Sequence, residues 1–225
     1  MSLPSFSAVV FDMDGVIFDS ERLVQESWRI VGERHGLTDT REVCSRCLGL
    51  NQKKSLAIFL EHYGADFPYE VYKNECRELF WGPLYGDHLP MKTGVVEILT
   101  TLKELGIPVA LATSTSKKTV TREMLDAGIL DFFDALVCGD MVTHGKPHPE
   151  IFLTACEKLG VAPELALAVE DSYNGIRAAS AGGLQPIMVP DLLPPTGEIE
   201  AKCVSICKDL LELEGMIREA RAKQQ

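Results

Sequence analysis

Ala8-Val9-Val10-Phe11-Asp12-Met13-Asp14-Gly15-Val16-Ile17-Phe18-Asp19 is the stretch on which the reading of this chain turns. Ala8 to Phe11 are all apolar, which suits the inside of a parallel sheet, where both faces are covered. The run stops at Asp12-Met13-Asp14, and Gly15 lets the chain turn sharply behind it. Open α/β sheets place their chemistry just beyond the carboxyl ends of such strands, which is where Asp12 and Asp14 stand. Carboxylates about 4 Å apart repel by about 4 kcal/mol at an effective dielectric of about 20. A cation, a proton or a lysine must offset that repulsion. Taken alone, the motif also fits an ordinary polar turn after a strand.

Outward from this point the pattern changes. Ser20 reads as the cap of a helix from about Glu21 to His35, ending at Gly36. Further helical stretches follow at Arg41–Leu48, Gln52–Tyr63 and Tyr69–Tyr85, with no strand signal between Phe18 and Met91. Beyond Pro90 apolar strand runs alternate with amphipathic helices: Pro108–Thr113, Ala135–Cys138, Leu165–Val169 and Pro186–Val189 are the strands. A last helix is expected over Lys208–Ala222, and Pro190–Pro195 reads as a loop. Such alternation predicts an α/β fold, a mostly parallel sheet covered on both faces, interrupted by an inserted all-helical unit. The expected division is a core of residues 1–18 and 90–225 and a helical unit of residues 19–89.

Composition narrows the function classes. The 225 residues are 46% hydrophobic, enough for a sizeable core, and carry a formal charge of −11. No basic block or stripe is present, so nucleic acid is not an expected partner. No run reaches the ~18 apolar residues of a membrane span, and no leader pattern is read, so a cytoplasmic protein is expected. The seven cysteines are odd in number and suit a reducing compartment. Cys44-x-x-Cys47 is read as a pair of buried thiols rather than a zinc or redox site. No heptad pattern or apolar stripe calls for a partner subunit, so a monomer is expected.

Three more polar segments fall at the ends of apolar runs. Thr113-Ser114-Thr115-Ser116 follows Val109–Ala112 and leads into a helix, a natural phosphate cradle as well as an ordinary N-cap. Gly145-Lys146-Pro147-His148-Pro149 holds one lysine in a rigid loop. Leu167-Ala168-Val169 ends in Glu170-Asp171-Ser172. In a parallel sheet these ends converge on one edge, gathering Asp12, Asp14, Glu170 and Asp171 around Lys146 and a hydroxyl cluster. An oxygen-rich acidic site of this kind selects a hard cation such as Mg2+.

Asp12–Glu21, Thr113-Ser114, Lys146-Pro147 and Glu170-Asp171-Ser172 resemble, in order and spacing, the four motifs of the haloacid dehalogenase-like superfamily. The resemblance covers nearly the whole chain and is closest to the branch containing β-phosphoglucomutase and pseudouridine-5′-phosphatase. It implies a Rossmann-like three-layer core with a helical cap hinged near Phe18–Ser20 and Asp87–Met91. It implies a Mg2+-dependent phosphatase of small phosphorylated metabolites, with Asp12 as the nucleophile that forms an aspartyl-phosphate. Asp14 is implied as general acid and base, and Thr113, Ser114 and Lys146 as the groups that hold the phosphoryl oxygens. Asp12, the Asp14 carbonyl and Asp171 are implied as metal ligands, with Glu170 ordering metal waters. The resemblance also implies a cis Lys146–Pro147 peptide. Gln25, Asn51, Gln52, Lys53 and Lys54 are the cap candidates for substrate contact.

Two alternatives stand beside that reading. A phosphomutase of the β-phosphoglucomutase type would carry a cap histidine and cations where this chain has Val24, Leu48 and Gln52. A non-catalytic protein that binds phosphorylated metabolites would be expected to lack Asp12, Asp14, Lys146 or Asp171, and all of them are present.

Overall fold

The computed structural model describes residues 3–47 and 52–223, with the side chains of residues 52–54 outside the description. Six strands form one sheet: β1 (Ala8–Phe11), β2 (Val109–Ala112), β3 (Ala135–Val137), β4 (Ala166–Glu170), β5 (Gln185–Met188) and β6 (Ser205–Ile206). Every pairing is parallel, in the spatial order β3-β2-β1-β4-β5-β6. The strand order reverses between β1 and β4, where open α/β sheets open a crevice for ligands. Val10 sits level with Ala110 on one side and Ala168 on the other, and all of β1, β2 and β4 is buried. That explains their near-continuous apolar runs.

Crossovers between parallel strands, right-handed as a rule, distribute the helices. Helices α5 (Val95–Glu104) and α6 (Lys117–Asp126) connect strands running toward β3, and α7 (Glu150–Leu159) and α8 (Tyr173–Ala181) connect strands running the other way. The two pairs therefore cover opposite faces, giving three layers. Under α7 and α8, the small side chains of Ala110, Ala112, Ala166 and Ala168 let Phe152, Ile151 and Ala179 pack close to the sheet. On the other side α10 (Leu210–Ala222) packs against α5.

Two compact units are present, one of residues up to 19 and from 89 on, the other Ser20–His88. Within the first, the two chain segments flanking the insertion run beside each other. Phe18 and Met91 form an antiparallel bridge, Asp19 N–H donates to Pro90 O at 2.8 Å, and Lys92 N–H donates to Ile17 O at 2.8 Å.

The second unit contains α1 (Ser20–Arg34), α2 (Thr40–Cys47), α3 (Gln52–Tyr63) and α4 (Tyr69–Leu79). Its core centres on Phe59, whose ring lies 5.3 Å from Trp28, 5.1 Å from Tyr69 and 5.5 Å from Tyr72. Trp28 thus packs against this core. Cys44, Cys47 and Cys76 are buried free thiols, and burial raises the thiol of each, Cys76 to about 12. That suppresses thiolate chemistry.

Some sequence expectations need correction. The helix expected over Tyr69–Tyr85 is α-helical only to Leu79 and continues as a π-turn over Phe80–Leu84. Pro83 has no N–H to donate back along an α-helix, which explains the change of pitch. β6 and the one-turn helix α9 (Gly197–Glu200) carry no sequence signal, being too short for any periodicity. Among the described residues no helix is long and apolar enough to cross a membrane.

Candidate active site

Pairing of β1 with β4 sets Asp12 at the switch point, with its N–H donating to Val169 O at 2.9 Å. Its carboxylate is almost wholly buried. Lys146 reaches it from the loop before α7, and the Lys146 ammonium donates to Asp12 Oδ1 at 2.6 Å, Glu170 Oε1 at 2.6 Å and Ala112 O at 3.0 Å. The ammonium also lies 5.0 Å from the centre of the Phe152 ring. One lysine therefore ties together the ends of β1, β2 and β4. The Lys146–Pro147 peptide is cis.

Glu170 is fully buried at the end of β4. Its second oxygen, Oε2, accepts from Asp171 N at 3.0 Å, Ser172 N at 2.9 Å and Ser172 Oγ at 2.9 Å. The Ser172 hydroxyl in turn accepts from Gly175 N at 3.0 Å and caps α8. A methyl group at Gly175 would overlap the Glu170 carboxylate, so glycine is required by the close approach. Gly15 is required twice over. It has φ of 78°, and a methyl there would overlap the Asp171 carboxylate.

The segment after β2 is bonded into place. Thr113 is buried and its N–H donates to Val137 O at 3.0 Å. Thr115 N–H donates to Thr113 Oγ1 at 3.1 Å, and Gly139 N–H donates to Thr115 O at 2.9 Å. The Thr115 hydroxyl donates to Asp14 Oδ2 at 2.8 Å. Behind Asp14, the buried Glu123 of α6 is pushed up to about 8 by burial, with the charge of Asp14 adding to the rise.

The charges of the cluster do not cancel. Asp12, Glu170 and Asp171 bring carboxylate oxygens within 4.8 Å of one another around a single ammonium. Burial raises the Asp12 carboxyl to about 8; Lys146 opposes the rise, while Glu170 and Asp14 add to it. Burial alone would lower Lys146, but Asp12 and Glu170 hold it well above the ordinary lysine range. The ammonium stays charged and negative charge remains in excess. An all-oxygen donor set with surplus negative charge fits a hard divalent cation.

The structure thus brings together Asp12, Thr113, Lys146, Glu170 and Asp171, with Asp14 tethered to Thr115 and Ser114 between Thr113 and Thr115. Asn51 and Leu48 lie outside the described residues. Gln52, Lys53 and Lys54 open α3 in the other unit, and their side chains are outside the description. Sequence reasoning missed the roles of Thr115, Ser172 and Gly175. It also missed Glu123, although Val120, Glu123 and Met124 at helical spacing put that glutamate on a buried stripe.

A family model described as haloacid dehalogenase-like hydrolase matches residues 6–183. The phosphorylated carbohydrates phosphatase of Thermotoga maritima is 34% identical over 203 residues, covering 89% of this chain and 94% of its own. The β-phosphoglucomutase of Bacillus subtilis is 30% identical over 202 residues, covering 83% of this chain and 88% of its own. The crystal structure of CbbY from Rhodobacter sphaeroides in complex with phosphate superposes with a TM-score of 0.73 at 28% identity, covering 92% of this chain and 96% of that one. With its family signature spanning most of the sequence, the chain belongs to the haloacid dehalogenase-like hydrolases, and it is a phosphatase enzyme of that family.

Proposed function

We propose that this enzyme hydrolyses small phosphorylated metabolites, sugar phosphates or nucleoside phosphates, through a phosphorylated Asp12 and with Mg2+ as cofactor. The observation that carries the reading is the bridge made by Lys146 between Asp12 and Glu170 beside Asp171. It presents a buried carboxylate, already oriented, at the point where a phosphoryl group meets the sheet edge. The relative that acts on phosphorylated carbohydrates supports the substrate class.

The chemistry follows from the residues. An Asp12 oxygen attacks phosphorus in line, forming a P–O bond as the bond to the leaving oxygen breaks. Asp14 gives its proton to that oxygen. It then takes a proton from the water that attacks the aspartyl-phosphate, which releases inorganic phosphate and regenerates Asp12. Thr113 and the Ser114 N–H hold the phosphoryl oxygens as charge develops on them, and Lys146, with its three N–H bonds to Asp12, Glu170 and Ala112, balances that charge from beside them. Thr115 positions the Asp14 carboxylate through its hydroxyl. Asp12, Asp171 and the Asp14 carbonyl would hold Mg2+, which would supply the positive charge that lets an anionic nucleophile approach an anionic phosphate. Glu170, saturated by Lys146 and the amides of Asp171 and Ser172, orders the lysine and the metal-binding loop. The helical unit, residues 20–88, is assigned the choice of leaving group as a cap.

The test is phosphate release from a panel of phosphorylated metabolites with Mg2+, for wild type and Asp12→Asn side by side. Release by the wild type alone supports the reading, and equal turnover by the variant rules out Asp12 as nucleophile. The 30% identity to a β-phosphoglucomutase keeps a mutase as the second reading. The panel therefore includes β-glucose 1-phosphate with a trace of the 1,6-bisphosphate. Glucose 6-phosphate appearing without phosphate release would favour the mutase.

A further inference from the structure

The turn that carries Lys146 has a second face. His148 N–H donates to Gly145 O at 3.0 Å, closing the turn. Lys146 points inward, with 7% of its side chain exposed, while the side chains of His144 and His148 are 61% and 52% exposed. The two imidazole rings lie against each other, tilted, with centroids 4.5 Å apart and planes 33° apart. Glu150, at the start of α7, lies against both. His144 Nδ1 is 2.8 Å from Glu150 Oε2, and His148 Nδ1 is 3.9 Å from the same oxygen. Ligand atoms of all three residues fall within 4.8 Å of one another.

We propose that His144, His148 and Glu150 form a binding site for a borderline transition-metal ion such as Zn2+, separate from the carboxylate cluster. Two features support it. The carboxylate is fixed in advance: Glu150 Oε1 accepts from Thr143 N at 2.7 Å and Oε2 from His144 N at 2.9 Å. That supplies the outer hydrogen bonds that orient a ligand. Second, a His-His-carboxylate set leaves coordination positions for water and is open to solvent here, so an ion has an entry path. On binding, the metal takes the place of the proton between His144 Nδ1 and Glu150 Oε2, which passes to solvent, and His148 Nδ1, which accepts from the Glu150 N–H at 3.3 Å, turns its lone pair to the metal. Imidazole selects Zn2+, Ni2+ or Cu2+, whereas the all-oxygen cluster around Asp12 selects a hard ion. The two sites therefore divide the metals between them. This assignment does not depend on the proposed catalytic function.

The experiment is a Zn2+ titration of the full chain against a chromophoric chelator, in millimolar Mg2+ to occupy the carboxylate cluster. It compares wild type, His144→Ala, His148→Ala and the double variant, with circular dichroism to verify each fold. Both histidines are exposed, so their truncation leaves the core intact. One Zn2+ equivalent of micromolar affinity, weakened at least about tenfold by either truncation and absent from the double variant, is expected. Co2+ bound at the same site gives visible absorption that vanishes in the double variant. Unchanged binding by the double variant, displacement of Zn2+ by the Mg2+, or no binding by the wild type overturns the proposal.

Discussion

The Thr115 hydroxyl, 2.8 Å from Asp14, is the contact through which a side chain outside the four motifs touches the proposed chemistry. Thr115→Val keeps the shape and removes the donor. It is expected to lower kcat about tenfold, the equivalent of one hydrogen bond to a charged group, with KM little changed. Thr115→Ser should recover most of the loss, and steady-state kinetics of both variants checks the pair. At Gly175, alanine drives a methyl into the carboxylate that anchors Lys146. A loss of about 3 kcal/mol in denaturant unfolding is expected, together with loss of turnover. What was legible at this scale follows from chemistry. Asp12, Glu170 and Asp171 stand out as charges that end apolar runs. The Thr115–Asp14 and Gly175–Glu170 contacts join residues that only the folded chain brings together, so no local pattern announces them.

At the scale of elements, α6 contains a buried acid on the stripe that should be apolar. Glu123 has its Oε2 buried without a hydrogen-bond partner, and its carboxyl is raised from 4.5 to about 8. The native state therefore holds a proton that the unfolded chain releases between those two values. Stability from this group is full below the lower value, falls by about 1.4 kcal/mol per pH unit between them, and is level above the upper one. Glu123→Gln removes that slope. Urea unfolding from about pH 5 to about pH 8 should show wild type losing ground to the variant as pH rises. β1, β2 and β4 were readable because burial on both faces makes their sequences apolar throughout. β6 and α9 were not, because a two-residue edge strand and a single turn leave no period to detect. The π-turn depends on the Gly82-Pro83 pair, whose effect on pitch is set by the helix it interrupts.

The charge imbalance of the cluster has a consequence for the whole molecule. A cation there competes with the proton that burial favours on Asp12. Addition of Mg2+ should raise the thermal midpoint, by the equivalent of about 2.7 kcal/mol at a hundred times its Kd. The gain should be larger at about pH 8 than at about pH 5, where protons occupy the site more fully. EDTA should abolish turnover, and Mg2+ should restore it. Scanning calorimetry with and without Mg2+ checks the first expectation, and phosphate release checks the second.

The paired segments at Phe18–Asp19 and Pro90–Lys92 close the first unit across the gap left by residues 20–88. In chain order the helical unit is one long excursion between the two arms of a zipped stem. Closing a loop costs little more as it lengthens, about 0.6 kcal/mol per doubling. On closure cost alone, inserts of very different size can therefore sit on one stem, which separates the assembly of the sheet from the length of chain between residues 19 and 89.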